Sequence, residues 1–90
     1  MARPLSALSF SFHGTIVDVD QTVPGQARHP SVVVLVEFED ATHRVIVPAQ
    51  TLRQRLPLLI VGRPIRLHGI IEGWPGRCDH VATFLELPTQ

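Results

Sequence analysis

The segment Pro64-Ile65-Arg66-Leu67-His68-Gly69-Ile70-Ile71-Glu72 reads as a β-strand, with Ile65, Leu67, Gly69 and Ile71 on one face and Arg66, His68, Ile70 and Glu72 on the other. Gly62 stands just before it. The glycine inside the apolar row is the strongest constraint on the fold. A strand gains nothing from a missing side chain on its packed face unless the chain bends sharply there or another backbone comes close. That requirement predicts a small closed barrel rather than a flat layer.

Residues 10–20 carry a second irregularity. Phe10, Phe12 and Ile16 share one face, whereas Val17 and Val19 fall on the other, with Gly14 just before the change. Side chains alternate strictly along a strand, so an apolar row that changes phase marks a bulge or a hard coil. Next comes a polar connection at 21–30, in which Pro24-Gly25 suits the centre of a type II turn. The second strand runs from about Ser31 to Glu39 and is apolar on both faces at its start, so that end should be covered. The turn Asp40-Ala41-Thr42 leads into a third strand, where His43, Val45 and Val47 oppose Thr42, Arg44 and Ile46 until Pro48. So brief a connection makes the two an antiparallel hairpin.

Residues 49–56 change period. Leu52 and Leu56 stand four apart among polar residues, and Pro57 ends the run, which predicts a short amphipathic helix. A loop at 73–80 containing Trp74-Pro75-Gly76 then separates the strand at 64–72 from a last strand at Val81 to Leu87. Prolines fall at the edges of apolar runs, where a missing backbone donor costs least.

This order of segments, with Gly62 and Gly69, resembles the OB-fold. The resemblance implies an all-β domain, a five-stranded Greek-key barrel with one short helix between strands 3 and 4 plugging one end. It covers roughly residues 10–88 of a single domain spanning 1–90. Free-standing bacterial OB proteins, such as single-stranded-DNA-binding and primosomal replication proteins, are similar in size. The resemblance implies a non-enzymatic module that binds single-stranded DNA or RNA on strands 2 and 3, between the loop joining strands 1 and 2 and the loop joining strands 4 and 5. The other reading is a module that docks on a partner protein or on itself as a homodimer.

Composition separates these readings only partly. The formal net charge is zero, with 8 basic and 8 acidic residues, which removes the bulk attraction that most backbone-tracking nucleic-acid binders use. Every basic residue is Arg. A guanidinium can stack on bases and fork onto phosphates, although a GC-rich coding sequence produces the same bias. The charged fraction of 18% is low, which leaves room for an apolar contact surface. One cysteine, Cys78, excludes an intrachain disulfide and a multi-cysteine zinc site. The N-terminal residues form no continuous apolar core for a signal peptide, and no run reaches the length of a membrane span. A cytoplasmic protein with no membrane contact is expected.

The candidate nucleic-acid-binding residues are Trp74, Arg77, Arg28, Arg44, His43 and Arg66. Trp74 offers a stacking platform worth about 1 to 3 kcal/mol per base, unless the indole folds back to cap the barrel. Arg77 shares its loop and can contact phosphate. Arg28 lies in the opposing loop, Arg44 and His43 on strand 3, and Arg66 on the polar face of strand 4. Ion pairing with Glu37 across the hairpin is the plainer expectation for Arg44. Cys78-Asp79-His80 places metal-ligand types together but lacks paired-ligand spacing, so no metal or cofactor is implied. Asp18 and Asp20 fit a charged strand end entering a loop. With no nucleophile elbow, phosphate loop or dinucleotide fingerprint, enzymatic activity is not expected.

Overall fold

The computed structural model of the chain describes residues 8–20, 31–74 and 77–88, the side chains of Trp74 and Arg77 excepted. Its strands are β1 (Leu8–Asp20), β2 (Ser31–Phe38), β3 (Ala41–Pro48), β4 (Pro64–Trp74) and β5 (Arg77–Glu86), with one helix, α1 (Ala49–Leu52), between β3 and β4. They close into a barrel in the order β1-β2-β3-β5-β4. All pairings are antiparallel except β3 with β5, which run parallel.

Both irregularities foreseen in the sequence build the curvature. A Cβ on Gly69 would collide with the Val81 carbonyl oxygen and lie 2.8 Å from the Ala82 Cα and 2.9 Å from the Phe10 ring. The β4–β5 register shifts at this point, from His68↔Phe84 to Gly69↔Ala82. The missing side chain is therefore the space into which β5 folds. In β1, Ile16 pairs with Val36 but the next pair is Asp18 with Leu35. Val17 is thus bulged out and exposed, while Val19 returns to pack against the core. Gly14 sits just ahead, where a Cβ would meet the Glu37 carbonyl oxygen.

The core holds Ile16, Val34, Val36, Val45, Val47, Ile65 and Leu67 almost without exposure. Val33, on the opposite face of β2 from Val32 and Val34, is buried as well, as the doubly apolar start of that strand requires.

Three local expectations are corrected. The β2–β3 turn lies at Glu39–Asp40, both with positive φ (55° and 63°), and Ala41 and Thr42 already belong to β3. Two residues with φ > 0 match the strand twist better than a longer turn. The predicted helix at 49–56 stops after Leu52, because Arg53 and Gln54 take left-handed φ of 53° and 62°, and a 3₁₀ turn follows at Leu56–Leu58. Arg55 makes this break workable: its Nη2 donates to the Thr51 carbonyl (2.7 Å) and its Nε to that of Leu52 (3.0 Å), satisfying acceptors at the helix end. The redirected chain carries Leu59 into the core. Finally, the loop expected at 73–80 is mostly strand. Glu72↔Asp79, Gly73↔Cys78 and Trp74↔Arg77 are paired, leaving only Pro75 and Gly76 between the strands, outside the described residues.

Candidate nucleic-acid interface

The extended β4–β5 ribbon decides how the candidate residues are grouped. Trp74 and Arg77 face each other across its last rung. The parallel pairing of Val45 with His80 and of Ile46 with Val81 brings the middle of β3 alongside β5 three to four residues from that rung. Arg44, one residue before Val45, therefore lies in the neighbourhood of Asp79, two residues from Arg77. Register thus collects Trp74, Arg77 and Arg44 at one end of the barrel.

Arg44 is exposed, stands opposite Leu35, and forms no ion pair with Glu37. The expected pairing is corrected: Glu37 sits opposite Thr42, one diagonal step away, so the guanidinium stays open to solvent. Carboxylates are close to the tip all the same. Glu72 lies directly across from Asp79, and like charges on facing positions repel one another and any phosphate beside them.

His43 takes a different course from its neighbour. Strand alternation points it toward the barrel interior, where its ring stacks on Phe12 at 4.3 Å and lies 6.3 Å from His80. Its Nε2 donates to the Phe38 carbonyl (3.3 Å). Phe10, Phe12, Phe38, His43 and His80 form one ring cluster closing this end of the barrel. Burial, and then the neighbouring His43, lower the His80 pKa below the ordinary imidazole value, against an opposing pull from Asp79. His43 is thus a packing residue of the barrel end, on the other side of the sheet from Arg44.

Arg66 is remote from the tip. It lies eight residues back along β4 from Trp74, about 26 Å at the rise of a strand, and pairs with Glu86 (Nη1 to Oε1, 3.4 Å). Such a half-exposed pair contributes at most about 1 kcal/mol. Arg28 lies outside the described residues. The strand that follows it begins at Ser31, which pairs with Pro48 at the opposite end of β3 from the ribbon tip. Between the two ends, the outer surface of β2 and β3 presents Leu35, Glu37, Thr42, Arg44 and Ile46, a mostly neutral strip.

One feature escaped sequence reasoning. Phe84, on the outer side of β5, is 48% exposed, with its ring 5.3 Å from His68. His68 in turn shares a 2.9 Å hydrogen bond with Ser11 Oγ and lies 5.9 Å from His13. The bulge opposite Gly69 turns Phe84 outward, and strict alternation from Ala82 would have put it inside.

Strand order, register and the helix between β3 and β4 define the class: this is an OB-fold barrel. Among solved structures it is similar to a chain in the crystal structure of the S. pombe Stn1-ten1 complex, with a TM-score of 0.70 and 16% sequence identity. The match covers 91% of this chain and 59% of that one, so the chain spans about three fifths of its neighbour's length. At such identity the likeness establishes the fold. No protein-family model matches the sequence, and neither does any curated protein. Among the described residues, no helix is long and apolar enough to cross a membrane.

Proposed function

We propose that this chain is a non-enzymatic OB module that binds single-stranded DNA or RNA at the tip of the β4–β5 ribbon. The observation that supports it is the register placing Trp74 opposite Arg77 with Arg44 alongside. An indole supplies stacking that any base accepts, and two guanidinium groups supply phosphate contacts. With zero net charge, stacking must carry more of the affinity than counterion release does.

A short single-stranded oligonucleotide added at low salt should quench the Trp74 fluorescence, and Arg44→Ala should weaken the binding. Raising the salt should weaken it only modestly, since few phosphates are neutralised. An unchanged emission together with no mobility shift would remove this reading.

A second reading, an assembly module, rests on a different surface. Val17, Leu58, Ile60 and Val61 are 41% to 59% exposed. Two backbone hydrogen bonds, Gly62 N–H to the Ile16 carbonyl (2.8 Å) and Ile16 N–H to the Arg63 carbonyl (2.9 Å), hold the turn at 60–63 against the β1 bulge. Aliphatic groups gathered in this way mark a contact surface. Sedimentation should show a concentration-dependent dimer or larger species that Val61→Asp abolishes. A monomer at all concentrations would exclude self-assembly through this patch.

A further inference from the structure

Between α1 and β5 lies an open cleft of about 250 Å³, lined by Gln50, Arg53 and Arg55 on one side and Thr83 and Phe84 on the other. It is on neither the ribbon tip nor the outer surface of β2 and β3. Three properties make it a binding site.

The first is a fixed guanidinium. Arg55 donates to the carbonyls of Thr51 (2.7 Å), Leu85 (2.9 Å) and Leu52 (3.0 Å), which immobilises the group. A guanidinium has more N–H donors than these three bonds use, so pre-aligned donors remain beside the cleft. The second is charge. Arg53 is exposed on the same wall, and among the described residues no carboxylate lines the cleft. Two cations with no acid between them draw an anion, and a planar guanidinium suits a phosphate. The third is the half-exposed Phe84 ring at the rim, steadied on one side by His68.

The volume narrows the ligand further. Pockets that enclose a drug-sized molecule start at about 300 Å³, so this cleft takes one charged group while the rest of the ligand lies over its edge. An anion seated on arginines, with a flat group lying on the neighbouring Phe84, has the chemistry of one nucleotide unit. We infer that the α1–β5 cleft binds a nucleotide phosphate whose base stacks on Phe84. The choice of ligand rests on the nucleic-acid reading above, but the residues are different ones. The nucleotide comes either from a strand that also reaches the ribbon tip or from a free mononucleotide.

The test follows backbone amide NMR shifts of the intact protein during separate titrations with a single-stranded oligonucleotide, a nucleoside monophosphate and inorganic phosphate. The amides of Arg53, Thr83 and Phe84 should move with the oligonucleotide or the monophosphate. Affinity should fall roughly tenfold or more in Phe84→Ala, the size of a lost base stack, and in Arg53→Gln. Both substitutions are at exposed positions and leave the Arg55 anchor intact. Movement with the oligonucleotide only identifies a strand-binding site, and movement with the monophosphate identifies a nucleotide site. Oligonucleotide binding that quenches Trp74 but leaves these amides still would overturn the cleft while sparing the ribbon tip. Monophosphate binding that is no tighter than that of inorganic phosphate and that Phe84→Ala leaves unchanged would overturn the nucleotide assignment. Cleft shifts without any change at Trp74 would uphold the cleft and remove the tip.

Discussion

Gly69→Ala is expected to destabilise the barrel by about 3 kcal/mol or more, at or beyond the upper end of ordinary overpacking costs. The added methyl would strike the Val81 carbonyl oxygen and crowd the Ala82 Cα. Both are main-chain atoms of the neighbouring strand, so no rotamer change relieves the contact. The only escape is to move β5 away from β4, which breaks the ladder that Gly69 shares with Ala82 and disturbs the Phe10 ring on the inner side. Gly73→Ala is the matched control. It lies four residues further along β4 with nothing within 4 Å of the added carbon, and should change stability by less than about 1 kcal/mol. Urea denaturation midpoints of the two variants against the parent make the comparison. Equal effects would mean that the close approach at Gly69 does not exist.

Leu67→Ala should cost about 2 to 5 kcal/mol, the range for removing a buried aliphatic side chain and leaving a cavity. Leu67 has no exposed surface, and it pairs with Phe12 on one side and Leu85 on the other, both core residues. A closed barrel this small has little freedom to collapse around the gap, because every strand is held by two neighbours. Ile70→Ala, on the outer face of the same strand, should cost clearly less. A loss below about 1 kcal/mol at Leu67 would reverse the facing of β4. Leu67 and Gly69 share neighbours, so their effects will not add.

Much of this fold was legible because its strands are amphipathic and its exceptions are local. Gly69 and the phase change after Ile16 each announced a departure from regular sheet, and each became a bulge or a close strand approach. The helix was misjudged for a physical reason. Leu52 and Leu56 keep helical spacing whether or not the backbone between them is helical, and what ends the turn is the left-handed pair Arg53 and Gln54, two residue types that carry no stop signal. The hairpin at Trp74 was hidden by its own composition, since Gly73, Pro75 and Gly76 read as a loop while Glu72, Trp74, Arg77 and Asp79 pair on either side.

The site was less legible than the barrel. Alternation alone separates His43 from Arg44, yet the ring cluster that receives His43 is assembled from β1, β2, β3 and β5. No local pattern reports such a meeting. Phe84 and Arg55 were missed for the same reason. One is turned outward by a register shift in its own strand's pairing with β4, and the other bonds to a carbonyl thirty residues away.

The join between β3 and β5 consists of two matched residues, Val45 with His80 and Ile46 with Val81. Beyond them the β5 carbonyls of Ala82 and Leu85 are taken by Thr51 Oγ1 (2.9 Å) and Arg55 Nη1 (2.9 Å). Side chains therefore act as the clasp where ladder bonds would otherwise run. A clasp of this kind can be released by anything that competes for it, so the cylinder will part along this line before any other. An anion that seats on Arg55 without displacing its carbonyls tightens the clasp, which ties occupancy of the cleft to the cohesion of the whole wall.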